Sequence, residues 1–231
     1  MSLSEPYDRM GRVVDDHMAH SVYNAFYDRP AVLEVLGDVA GLDIIDAACG
    51  PGHYAAELVA RGARVRGFDA SATMVQLATE RLGDAVDLQR ASLDDRLPYD
   101  DASADLVLCA LAIHYAADRA ATMREFARVL RPGGRCVMST QHPMWDWIRK
   151  GGSYFDVVLE TDVWGPWSGG QSVSYWREPL TATVAAATNA GMLVRGLIEP
   201  LPSPAMAEVS PDDFRKLSEA PAFIILDLLK P

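Results

Sequence analysis

The chain has 231 residues, 49% hydrophobic and 23% charged, with a net charge of −11. That length and apolar fraction support one sizeable core, as a single domain with or without an elaborated lid, and exclude a disordered chain. The acidic balance lacks the basic footprint a nucleic-acid substrate needs, and no apolar stretch approaches the ~18 residues of a membrane span.

The N-terminus, "MSLSEPYDRMGRVVDD", carries acids and no apolar signal segment, so a cytoplasmic protein is expected. Residues 6–28 have mixed helical periodicity, and Pro30 suits the first turn of a short helix, "AVLEVLGDV". From Leu42 the pattern alternates. Strand-like "LDIIDA" precedes helix-like "HYAAELVARG"; "ARVRGFDA" precedes "SATMVQLATERLG". "AVDLQRA" and "ADLVLCALAIH" read as strands, "DRAATMREFARVL" as a helix and "GGRCVMSTQ" as a strand. Strands and helices alternating at this spacing predict right-handed crossovers and a parallel sheet. Residues 142–179 then break the rhythm and hold all five tryptophans. Beyond them come a helix ("LTATVAAATNAGM"), a strand ("LVRGLIEP"), a short helix near "PDDFRKLSE" and a last strand, "AFIILDLLK". The chain therefore divides into an N-terminal helical cap (1–40), a core (41–141), an inserted lid (142–179) and the rest of the sheet (180–231). The three cysteines, Cys49, Cys109 and Cys136, are odd in number and widely spaced, as expected of small buried residues and not of a disulfide frame or zinc site.

The chemistry concentrates at "DAACGPGHY", residues 46–54. A glycine turn after the first strand lets backbone approach a ligand, with a helix N-terminus behind it. Gly50 to Ala55 formally matches G-x-G-x-x-A, with Asp69 about 20 residues on, so a nicotinamide dinucleotide site is one reading. Two residues oppose it. Asp46 places a carboxylate near the would-be pyrophosphate, and Pro51 removes an N–H that could have donated to it. A cationic ligand suits both features better, and S-adenosylmethionine carries a sulfonium and an ammonium and no phosphate.

The ordered set "DAACGPGHY", "VRGFDASATM", "ASLDDRLPYDDASADLVLCALAIHY" and "RVLRPGGRCVMSTQHP" resembles the class I S-adenosylmethionine-dependent methyltransferases, in their small-molecule branch. The resemblance covers about residues 40–142. It implies an α/β, Rossmann-like, doubly wound fold: a mostly parallel seven-stranded sheet with an antiparallel C-terminal strand and a lid after the fifth strand. It also implies S-adenosylmethionine as cofactor. Asp46, Ala47, Gly50 and Gly52 match the motif holding the methionine end. Asp69 matches the acid that accepts from both ribose hydroxyls, and Ala70 follows it. Met74 matches an apolar contact to adenine. Ser92 stands where the family often has an aspartate, and Leu93 offers its backbone N–H. Ala110 and Leu111 match the end of the fourth strand, beside the sulfonium. Neither an N-P-P-Y or D-P-P-Y tetrapeptide nor the aspartates of metal-dependent catechol methylation are evident, so a metal-free enzyme with a small-molecule substrate, no nucleic acid and no membrane is expected.

His114 in "LAIHY" and His142 in "STQHP" read as strand ends facing the ligand edge, where either could serve as a base or simply bond a loop. Tyr115, Trp145, Trp176 and Arg177 are candidates to contact substrate, the tryptophans as an apolar wall and the arginine for an anionic group, although tryptophans in an insertion also suit plain packing. Three functions stay open: a small-molecule methyltransferase acting on N, O or C, an NAD(P)-dependent oxidoreductase, and a non-catalytic S-adenosylmethionine binder.

Overall fold

The computed structural model describes residues 3–231. Its strands are β1 Asp43–Ala47, β2 Arg64–Asp69, β3 Asp87–Arg90, β4 Ala104–Ala110, β5 Leu130–Gln141, β6 Val158–Val163, β7 Ser172–Arg177, β8 Leu193–Ile198 and β9 Phe223–Leu229. All but β6 and β7 form one seven-stranded sheet in the order β3-β2-β1-β4-β5-β9-β8. The first five run parallel, and β9 is antiparallel to both β5 and β8. This is the α/β, doubly wound sheet with an antiparallel final strand that the sequence led us to expect. The chain builds outward from β1 to β3 and then returns to β4, so the strand order reverses between β1 and β4. A crevice at the carboxyl ends of the strands opens at such a reversal.

Period-two alternation sorts the core into two layers. Ile45, Val107 and Cys109 face one side of the sheet, with Met123 and Phe126 packed on them; Ile44, Leu106 and Leu108 face the other, with Val32, Leu36 and Leu58. The helices are α1 Glu5–Met10, α2 Arg12–His20, α3 Arg29–Leu36, α4 His53–Ala60, α5 Ala72–Leu82, α6 Arg119–Val129, α7 Pro143–Lys150, α8 Leu180–Asn189, α9 Met206–Val209 and α10 Pro211–Glu219. A π-helical turn, Asn24–Asp28, leads into α3. Among the described residues no helix is long and apolar enough to cross a membrane.

Two local expectations need correcting. The apolar run 104–114 is not one strand: Leu111 takes φ +49, β4 stops at Ala110, and Ile113–Tyr115 form a 3-10 turn. The insertion is not irregular either. His142 caps α7, and β6 and β7 pair as an antiparallel hairpin separate from the main sheet. Val173, Tyr175 and Arg177 alternate on the buried face of β7.

Candidate active site

At the sheet reversal lies a cavity of about 310 Å³. Ala48 and Gly50 reach it from the turn after β1, and Asp69 and Ala70 from the end of β2. Met74 comes from α5, and Ser92, Leu93 and Asp94 from the loop after β3. Ala110, Leu111, Ala112 and Tyr115 follow β4, while Leu3, Ser4, Tyr7 and Met18 close it from the N-terminal helices.

The glycine turn is held by side chains from its neighbours. Asp69 accepts from the Gly50 N–H at 2.9 Å with one oxygen and from the Ser71 N–H at 2.8 Å with the other. Arg81 donates to the Pro51 carbonyl. Gly50 has φ +55, a region that favours glycine. Gly52, at φ +84, also packs closely: a Cβ there would lie 2.9 Å from the tip of Leu82 and 3.2 Å from the Ala78 Cβ, so the α4–α5 contact would have to give way slightly. Asp46, Ala47 and Gly52 thus lie behind the turn and not on the cavity wall. Asp46 is 1% exposed, accepts from the Ala55 amide and keeps one oxygen without a partner. Burial, then the nearby Asp69 charge, push its carboxyl up to about 7. Burial likewise pushes Asp69 up to about 6, against the Ser71 and Gly50 amides that pull it down. Two carboxylates disfavouring their own charge leave a place where a cation is welcome. No Lys, Arg or His is among the described residues lining the cavity, whose acidic members are Asp69 and Asp94.

The N-terminal helices are stapled over this site. Asp8 accepts from Ser71 Oγ at 2.5 Å and from the Thr73 N–H at 3.2 Å, capping α5 from outside. Arg81 pairs with Asp15 at 2.8 Å and Arg12 with Glu80 at 2.5 Å. Tyr7 donates its hydroxyl hydrogen bond to Tyr115 at 2.7 Å, and burial raises both phenols, Tyr115 to about 12. Trp164 packs edge-on against Tyr7, and Trp167 stacks on His17 at 3.6 Å. The hairpin therefore backs the N-terminal helices, which themselves form the wall.

The proposed bases and most of the substrate contacts lie elsewhere. Because the chain turns at Leu111, His114 is carried away from the cavity; it is 4% exposed and bonds Thr140 Oγ1 through Nδ1 at 3.0 Å. Burial and then the Arg119 charge push it down to about 3, too weak a base for neutral pH. His142 uses both ring nitrogens structurally, accepting from the Met144 N–H at 3.2 Å and meeting Glu199 at 3.0 Å. Trp145 packs near Tyr27 and Phe214 with Lys216 over its ring at 4.9 Å. Trp176 gives its carbonyl to Arg119 at 2.7 Å, and Arg177 is spent on Glu160 at 2.8 Å across the hairpin. Tyr115 alone of these lines the cavity. His114→Ala should accordingly lower stability by about 1–3 kcal/mol, as for a buried hydrogen-bonded group. Urea melts read this, and an unchanged midpoint would contradict the placement.

Sequence reasoning missed Tyr7, Met18, Ala48 and Asp94. Only Asp94 had a signal, two residues beyond Ser92 in the same "ASLDD"; it accepts from the Ala117 N–H at 2.7 Å.

Residues 45–138 match the family described as "Methyltransferase domain". A demethylmenaquinone methyltransferase of Lactococcus lactis is 30% identical over 149 residues, covering 62% of this chain and 57% of the relative. The chain thus spans about half the length of the curated relatives it matches. An S-adenosylmethionine dependent methyltransferase from Mesorhizobium loti superposes with a TM-score of 0.71 at 24% identity, covering 92% of this chain and 99% of that one. A geranyl diphosphate C-methyltransferase from Streptomyces coelicolor, solved with S-adenosyl-L-homocysteine, Mg2+ and geranyl diphosphate, does so with 0.63 at 16% identity, covering 87% and 79%. The dinucleotide reading draws no support from these relatives.

Proposed function

We propose that this chain, whose residues 45–138 match the methyltransferase-domain family, is a class I S-adenosylmethionine-dependent methyltransferase that methylates an N, O or C nucleophile of a small, hydrophobic acceptor. The observation that carries the reading is the cavity itself. Its volume is at the lower end of the ~300–1,000 Å³ of small-molecule sites, and the Gly50 turn and Asp69 line it, with the buried Asp46 behind that turn.

S-adenosylmethionine, when bound, supplies an electrophilic methyl group. The chain's own part is to hold and shield. Asp69 still has lone pairs for two ribose hydroxyls after accepting the Gly50 and Ser71 amides. Met74 offers an apolar face to adenine, with Ala70, Ser92, Leu93 and Asp94 around its rim. Ala110 and Leu111 form the wall where the methyl group is passed, and the N-terminal helices keep water out. Tyr115, its hydroxyl fixed by Tyr7, orients the acceptor. With no histidine on the wall, an acceptor that enters with a reactive lone pair or as a readily ionised hydroxyl suits the site better than one needing a strong protein base.

Substrate charge follows from the same wall. Among the described lining residues Asp69 and Asp94 face no cation, which disfavours an anionic acceptor. A menaquinone-type acceptor, such as the Lactococcus relative's name gives, is uncharged and apolar and fits this requirement; a diphosphate does not. The test is calorimetry with S-adenosylhomocysteine, NAD(H) and NADP(H). Binding of the first alone is expected, and a ligand at 100 times its Kd should add about 2.7 kcal/mol of stability. Preferential NAD(P) binding would defeat the reading. Once an acceptor is identified, turnover should survive chelation, because among the described residues no three His, Cys, Asp or Glu side chains come together to hold a cation. Loss to chelator with rescue by magnesium would defeat the metal-free part.

A further inference from the structure

We infer that Asp15 is a positioning residue for the cofactor turn: from α2, off the cavity wall, it holds the turn between β1 and α4 through His53 and Arg81. That the turn receives S-adenosylmethionine rests on the methyltransferase reading; how the turn is held does not.

The turn needs a restraint from outside. Gly50 and Gly52 take φ +55 and +84, and glycine leaves such a backbone free to adopt other conformations. Pro51 between them has no N–H, so its carbonyl is the group a neighbour can grip. Arg81 of α5 donates to it through Nη1. Asp15 in turn fixes Arg81, accepting from Nη2 with Oδ1 at 2.8 Å. The same Oδ1 lies 2.9 Å from Nε2 of His53, the first residue of α4, and the Asp15 carbonyl faces that nitrogen at 3.3 Å. One carboxylate oxygen therefore ties down the residues on both sides of Gly52.

The helix that carries Asp15 depends on these bonds as well. In α2 Val14 is buried, while the other residues are half-buried or exposed, so packing alone gives the helix little hold. The side chains of Asp15 and His53 are 17% and 15% exposed. Arg12 and Glu80, which also join α2 to α5, are 75% and 42% exposed. A partly buried pair is screened far less than one in open solvent, so the Asp15 cluster is the stronger tie. Met18, one turn along α2 from Asp15, reaches over the turn: a Cβ on Gly50 would lie 3.6 Å from its terminal methyl. Met18 lines the cavity, and Asp15 is not among the described lining residues. Asp15 thus acts through others, setting the turn on one side of the ligand space and Met18 on another.

Calorimetry with S-adenosylhomocysteine, and amide hydrogen exchange on the full chain without it, test this in Asp15→Ala, Asp15→Asn, Arg81→Ala and Arg12→Ala. The reporters are the Gly50 and Gly52 amides, which bond Asp69 and the Cys49 carbonyl. Asp15→Ala should weaken binding about 10-fold and speed exchange at both reporters about as much, with β4 and β5 amides within about 3-fold of the parent. Asparagine keeps an oxygen for Arg81 and His53, so Asp15→Asn should lose less. Arg81→Ala should resemble Asp15→Ala, and the double variant should lie within about 3-fold of either, because the two side chains form one support. Arg12→Ala breaks the exposed pair without touching the turn and should stay within about 3-fold of the parent in both readings. Equal effects of Arg12→Ala and Asp15→Ala would reduce Asp15 to a fastener of the helix and overturn the inference. So would unchanged Gly50 and Gly52 exchange in Asp15→Ala, or fully additive losses in the double variant. Should the parent fail to bind S-adenosylhomocysteine, the methyltransferase reading falls, and the exchange comparison still decides how the turn is held.

Discussion

Gly50→Val is expected to weaken binding of S-adenosylhomocysteine by more than ~10²-fold while the chain stays folded. Two costs combine. Valine at φ +55 is strained by roughly 1–2 kcal/mol, and relief of that strain means moving the turn. Moving the turn pulls the Gly50 N–H from Asp69, a bond to a carboxylate worth about 1.5–3 kcal/mol. A Cβ alone would touch Met18 at 3.6 Å, an ordinary contact, but valine's two methyls extend beyond it into a cavity that Gly50 and Met18 both line. The sum, about 2.5–5 kcal/mol, reaches the ~2.7 kcal/mol of a 10²-fold loss at all but its lowest end. Asp69→Ala is expected to cost about 1–3 kcal/mol of affinity, since it frees the Gly50 and Ser71 amides as well as removing the ribose acceptor. Calorimetry reads both, with circular dichroism to verify folding. A Gly50→Val dissociation constant within threefold of the parent would move the cofactor elsewhere.

Most main-sheet strands were legible because buried strands write continuous apolar runs, such as "DLVLCA", and glycine stops such as Gly83 after α5 punctuate the helices between them. The glycine turn and Asp69 were legible for a similar reason: φ above zero selects glycine, and a carboxylate closing β2 bonds that turn directly. His114 was misread because the break before it is made by Leu111, whose left-handed backbone is not announced by Gly or Pro and whose N–H bonds Ser139, 28 residues on in the neighbouring strand. The hairpin was hidden for a different reason. "VLETDV" and "SVSYWR" alternate, yet one face only is buried, and it packs on residues some 160 positions earlier, Met10 and Val14. That contact also explains the tryptophans: Trp164 and Trp167 serve the seam with α1 and α2, not the cavity. Tyr7 belongs to the same class, since a tyrosine in a short N-terminal helix carries no local sign that its hydroxyl meets Tyr115.

The pH dependence of ligand choice tests the charge character of the site. Asp46 and Asp69, held up to about 7 and about 6 from a usual 3.8, keep protons in the folded chain that the unfolded chain has lost. Between pH 3.8 and about 7 the folded state thus binds more protons than the unfolded one, and stability falls as pH rises. This contribution is complete below 3.8 and gone above about 7. Asp28 and Asp146, each pushed up to about 6 by burial, add the same sign. The free chain should therefore melt lower at pH 8 than at pH 5. A bound cation reverses the local preference by lowering both carboxyls, commonly by 1–3 units for a close opposite charge. Binding then releases protons, so it tightens as pH rises through about 6 and 7. S-adenosylmethionine and S-adenosylhomocysteine share the ammonium and differ by the sulfonium charge, so their affinity ratio isolates this effect. It should move by about 10-fold or more in favour of S-adenosylmethionine from pH 5 to pH 8, because each unit of lowering is a factor of ten. Such a bias also favours release of the product, which has lost the charge along with the methyl group. Asp46→Asn should flatten the ratio without displacing either ligand, since Asp46 lies behind the wall. Calorimetry of both ligands across that range is the measurement. A ratio independent of pH in the parent chain would mean that the two carboxylates do not sense the sulfonium.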